Sequence, residues 1–190
     1  MNEVRAPLIL AFCAAVIAGP AAPAQQPAVN EDAQILAALS KRINDYNALH
    51  EKLEATLPPL SKDSAPQQVD AHQRSLASLL QNARPHADHG DVLGPTARAL
   101  IRRLLARVLS GPEGAKLKES IMEDNPGPLR TRVNGRVPDD TPRSTLPMQV
   151  LQMLPKLPHA VEYRFLGRRL VLVDPHALIV VDYVDDALPK

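Results

Sequence analysis

Apolar positions along the chain change period near its middle, and that change predicts the architecture. From Asn30 onward, Leu36, Leu39, Ile43, Tyr46, His50, Leu53 and Leu57 recur at helical spacing, giving one long amphipathic helix. Asn30 is placed to cap it, with Glu31 and Asp32 in the first turn where the helix dipole favours acids. Pro58-Pro59 ends it, because neither proline can donate the next backbone bond. After the turn "LSKDSAPQQ", Val69, His72, Leu76, Leu79, Leu80 and Ala83 share one face of a second helix that stops near Arg84-Pro85. Two such helices joined by a short loop predict an antiparallel hairpin.

Gly94-Pro95-Thr96 opens a third helix with two clean faces. Leu100, Ile101, Leu104, Leu105, Val108 and Leu109 fill one side; Arg98, Arg102, Arg103 and Arg107 fill the other, with no acid among them. "SGPEG" breaks it, and a short helix over Glu113 to Met122 follows before "EDNPGP" closes the helical half.

Beyond that point the period becomes two. "LRTRV" alternates Leu129, Thr131 and Val133 against Arg130 and Arg132, and Asn134-Gly135 is a hairpin dipeptide whose returning arm Pro138 cuts short. "PMQVLQML" has room for two helical turns. "VEYRFLGRRLVLVDPHALIVVDYV" then predicts three strands: Val161 to Leu166, Arg169 to Asp174, and Leu178 to Val184. Gly167-Arg168 fits a two-residue turn, and Asp174-Pro175-His176-Ala177 a turn pre-set by proline. The second and third strands are apolar on both faces, so a further layer must cover the sheet. Helices segregated from an antiparallel meander predict an α+β fold. Its helical part spans 30–125 and its sheet part 126–190.

The N-terminus predicts export. "MNEVR" is charged, "APLILAFCAAVIAG" is an apolar run of signal-peptide length, and "AAPAQQ" offers a cleavage pattern with the cut after Ala24. Residues 1–24 are then a signal peptide and 25–190 one mature domain, periplasmic or secreted, with no membrane span after cleavage. Cys13, the single cysteine of the 190 residues, would leave with the signal. Disulfides, thiolate metal sites and cysteine nucleophiles are thereby excluded from the mature chain.

A net charge of +1 supplies no field to attract nucleic acid, and the chain has no Trp to stack bases. No G-x-S-x-G elbow, H-E-x-x-H helix or phosphate-cradling glycine loop occurs, so the sequence predicts no enzyme. Glu162 and Asp174 read as edge and turn residues.

Three features carry possible chemistry. "PHADHGD" sets His86, Asp88, His89 and Asp91 close together, enough donors for a divalent transition metal. Yet they are also residues that loops favour, so no cofactor is the first expectation and this metal the alternative. His50 and His72 lie on the apolar faces of the first two helices at similar heights from the connecting turn. They are either a facing pair, pH-sensitive or metal-binding, or two amphipathic residues bonded locally. Arg98, Arg102, Arg103 and Arg107 form solvated surface, a docking face for an acidic envelope partner, or a contact with anionic lipid head groups, unless Glu123, Asp124, Asp139 or Asp140 pairs with them. The apolar helix seams pack within the chain or in a homo-oligomer.

"EYRFLGRRLVLVDPHALIVVDYVDDALP", with "YNALHEKLEATLPPL" upstream, resembles a group of uncharacterised exported bacterial proteins. They carry a signal peptide, a helical half and a C-terminal "YRF-x-G-R-x-L-V-L-x-D" hairpin. The resemblance implies export and this layout, and no activity. The "LVLVD…IVVDYV" hairpin is also similar to the C-terminal strands of small periplasmic proteins of the nickel/cobalt-homeostasis type. The function expected from all this is an exported, non-catalytic interaction or accessory module; the alternative is a periplasmic transition-metal-binding protein.

Overall fold

In the computed structural model, residues 30–124, 132–137, 141 and 146–189 are described. The expected signal peptide, Leu129 to Thr131, Asp139 and Asp140 lie outside them. The chain forms helices α1 (Glu31–Glu54), α2 (Pro66–Ala83), α3 (Pro95–Val108), α4 (Gly111–Asp124) and α5 (Met148–Leu151). Strands β1 (Glu162–Leu166), β2 (Arg169–Asp174) and β3 (Ile179–Val184) follow, paired antiparallel in the order β1-β2-β3. This is an α+β fold. Among the described residues no helix is long and apolar enough to cross a membrane.

Asn30 caps α1 as its sequence predicts, accepting from the Asp32 amide at 3.1 Å. The helix ends at Glu54, three residues before the apolar pattern does. The Thr56 hydroxyl donates to the Leu53 carbonyl at 2.6 Å, and Pro58 disfavours helical backbone at Leu57. That early stop leaves Glu54 at a helix end. α2 runs back along α1: Glu54 lies near His72 at the start of α2, while the Arg84 guanidinium past its end sits 5.1 Å from the Tyr46 ring. Gly114 lets α4 turn in tightly, since a Cβ there would stand 2.4 Å from the Leu109 carbonyl carbon.

One apolar core runs through both halves. Leu39 and Ile43 of α1, Leu76 and Leu80 of α2, and Ile101 and Leu105 of α3 pack with Phe165, Leu170, Leu172, Ile179 and Val181 of the sheet. Each fully buried aliphatic side chain of this kind contributes about 1.5–3 kcal/mol of transfer free energy. The opposite face of the sheet carries Leu166, Val171, Val173 and Val180, packed with Val137. Among the described residues, Val137 is the part of this cluster that comes from outside the sheet.

β1 begins at Glu162 rather than Val161. Asn134-Gly135 forms a turn, the Gly135 amide donating to the Arg132 carbonyl at 2.9 Å, and docks on the edge of β3; the expected arm Leu129 to Thr131 lies outside the described residues. The Asn134 amide donates to the Val180 carbonyl (2.8 Å), that of Val180 to Gly135 (2.9 Å), and that of Val137 to Leu178 (2.8 Å). β3 also begins at Ile179 rather than Leu178, because Leu178 turns with φ +52°.

Candidate metal centre

The strand period decides where Asp174 points. Leu170 and Leu172 of β2 face the helical layer, and Asp174, two residues on, faces it too. Its carboxylate is fully buried. Oδ1 accepts from the amides of His176 and Ala177, each at 2.9 Å, closing the β2–β3 turn around Pro175. Oδ2 accepts from the Tyr46 hydroxyl at 2.9 Å and the His50 Nδ1 at 2.7 Å. Four bonds satisfy a charge that would otherwise be costly to bury.

His50 is also fully buried, and its other nitrogen looks toward the protein edge. Nε2 lies 3.1 Å from Oε2 of Glu54, one helical turn further along α1. Oε1 of Glu54 meets His176 Nδ1 at 3.2 Å and stands 3.8 Å from His72 Nε2. The His50 and His176 rings meet edge to face, with centroids 5.2 Å apart. The exposed His159 stands 6.4 Å from the first ring and 6.1 Å from the second, beside Glu51. Four of the chain's six histidines thus gather around one end of α1.

The electrostatics are unusual for a core. A neutral imidazole carries one N–H, while His50 faces an acceptor-only carboxylate at each nitrogen. With Nδ1–H donating to Asp174, Nε2 directs a bare lone pair at Glu54 unless a proton or a cation stands between them. Burial opposes a charged ring, but the hydrogen bond and charge of Asp174, then those of Glu54, outweigh it and raise the His50 pKa above its ordinary 6.5. Partial burial likewise opposes ionisation of Glu54. The hydrogen bond from His176 and the charge of the two rings prevail and hold it below its ordinary 4.5. Burial, reinforced by Asp174, pushes the Tyr46 hydroxyl up, so it stays a donor.

His50, Glu54 and His176 each offer a ligand atom, and the three atoms lie within 4.8 Å of one another. Bonds of about 2.0–2.2 Å in a tetrahedron hold ligand atoms about 3.3–3.6 Å apart, a spacing inside the 4.8 Å within which these three atoms lie. Asp174 stands where metal-binding histidines usually find a carboxylate, at the nitrogen away from the ion. Among the described residues no other group of His, Cys, Asp or Glu converges in this way.

The "PHADHGD" residues do not converge. The Asp91 carboxylate accepts from the Asp88 amide at 2.9 Å and the Asp88 carboxylate from the His89 amide at 2.7 Å, so both serve the loop backbone. His89 stacks on Tyr183 with centroids 4.1 Å apart, bonds the Tyr183 carbonyl at 3.0 Å, and meets the Arg98 guanidinium. His86 is exposed. The His50–His72 pairing exists in a different form, with both rings turned to Glu54 and no direct contact between them given by these bonds. Glu54, His176 and Asp174 were not legible as partners, although Glu54 at i+4 from His50 was a usable local signal.

The arginine face is largely occupied. Besides Arg98, Arg102 donates to the Asp185 carbonyl at 3.0 Å and Arg103 pairs with Asp32. Arg107 is exposed; its carbonyl accepts from the Ser110 hydroxyl at 2.8 Å, and its guanidinium has no partner among the described residues. Comparison with protein-family models, curated proteins and solved structures finds no match.

Proposed function

We propose that this chain is an exported protein that binds a divalent transition-metal ion through His50 Nε2, Glu54 and His176 Nδ1. The observation that carries the reading is the buried His50 ring held between two carboxylates, with a second imidazole on the outer one. Imidazole and carboxylate donors without thiolate suit zinc, cobalt, nickel or copper better than calcium or magnesium, which prefer all-oxygen shells. The N-terminal apolar run and the Ala24 cleavage pattern support the exported setting. The interaction-module reading rested on an unpaired arginine row, and its support falls to Arg107 now that Arg98, Arg102 and Arg103 have partners within the fold.

Thermal unfolding of metal-free protein, repeated with each metal, tests this. At a hundred times its dissociation constant an ion stabilises the fold by ~2.7 kcal/mol, a midpoint rise of roughly 5–10 °C at this size. The rise is expected to vanish in His176→Ala and to persist in the His86→Ala, His89→Ala double variant. A rise lost only in the second variant returns the site to the loop. No rise with any metal ends the proposal.

A further inference from the structure

The ion's surroundings are lopsided. Behind His50 stand Asp174, Tyr46 and the core, and no solvent reaches the ring. In front, Glu54 and His176 are partly open, with side chains 32% and 40% exposed. Glu54 also lines a groove of about 570 Å³ bounded by Glu51, Leu57, Pro59, Leu60 and His72. The loop after α1 builds this wall, and Leu60 exposes 42% of its surface there, although apolar side chains of that size are mostly covered in this fold.

Three protein donors leave a tetrahedral ion one position short. Structural sites close that position with a fourth side chain, whereas sites that exchange ligands keep it open. His72 is the side chain best placed to close it. Its Nε2, however, stands 3.8 Å from Glu54 Oε1 and does not join the mutually close set of His50, Glu54 and His176. We infer that the ion held by these three residues keeps one coordination position open to the groove, where it takes an exogenous monodentate nitrogen or oxygen donor. The apolar wall of Leu57, Pro59 and Leu60 then receives the remainder of that molecule, and His72 stands beside it as a hydrogen-bonding neighbour. This inference rests on the metal reading and goes beyond it, because a closed four-ligand site would satisfy that reading equally.

Cobalt(II) in the full chain, followed by visible absorption, separates the two. Tetrahedral cobalt with these donors gives visible bands, and azide is the probe donor. The expected result is a saturable shift of the bands on azide addition, with cobalt retained by the protein on dialysis, in both the parent and His72→Ala. If the parent is unmoved and only His72→Ala responds, His72 is the fourth ligand and the inference is overturned. If neither responds, the site is closed by other means and the inference is overturned as well. If no bands develop at all, these three donors do not hold cobalt tetrahedrally and the inference is overturned, while the metal reading itself fails only when the unfolding midpoint also rises with no metal.

Discussion

Two buried aspartates, Asp182 and Asp174, organise two histidine-bearing turns, and they use their oxygens differently. Among the described residues, Asp182 serves only backbone. It accepts from Gly90 (3.0 Å), Val92 (2.9 Å), Leu93 (2.7 Å) and Tyr183 (2.8 Å), pinning the "PHADHGD" loop to β3. Asp174 gives one oxygen to the backbone of its own turn and keeps the other for side chains, Tyr46 and His50. The first arrangement uses up all its bonding capacity in holding shape. The second passes charge through an imidazole to the surface, where Glu54 and His176 wait. A local density of His and Asp is therefore a poor guide to chemistry. What matters is whether carboxylate oxygens remain for side chains after the backbone is satisfied.

The contrast can be broken most forcefully at Asp182. Asp182→Ala strands buried amides at Val92 and Leu93, each costing about 1–3 kcal/mol, so a stability loss of about 3–5 kcal/mol is expected in urea unfolding. A loss under 1 kcal/mol would show that water or rearranged backbone replaces the carboxylate. At Asp174 a subtler change sharpens the comparison. Asp174→Asn keeps the turn's acceptor but weakens the hold on His50, and metal affinity is expected to fall about 10–100-fold by calorimetric titration. Unchanged affinity would mean that Asp174, like Asp182, only shapes backbone.

The smallest effect is the pH dependence of the metal-free protein. Because His50 is raised in the fold, its contribution is fully present below pH 6.5 and is lost as pH rises through the raised value. Because Glu54 is lowered, its contribution is present above pH 4.5 and is lost as pH falls through the lowered value. Their cooperative stabilisation is therefore greatest between about pH 4.5 and 6.5. Melting temperatures across that range are expected to decline on both sides, and Glu54→Gln is expected to flatten the profile. An unaltered profile in that variant would show that the cluster does not titrate with folding.

Much of the fold was legible because periodicity is local. The three strands fall within a residue of their expected limits at every end, the expected faces of α1 and α3 are buried or half-buried, that of α2 is so from Val69 to Leu80 with Ala83 exposed, and the meander order follows from its two tight turns. Where element ends moved, local chemistry moved them at the end of α1 and the start of β3, whereas the docking of residues 134–137 on the edge of β3 is a contact distant in sequence.

The sequence alone determined that His50 sits on an apolar helix face, that Asp174 opens a proline turn, and that the helical half and the sheet each have a face to bury. Only the tertiary structure decided that these faces close on one another as a single core. That closure lays the end of β2 across α1, bringing Asp174 and His176 to residues more than a hundred positions away, His50 and Glu54. Spacing along the chain reports neighbours on the same helix or strand. The approach of one element to another is set by packing of the whole core, and the candidate metal centre lies where two elements meet.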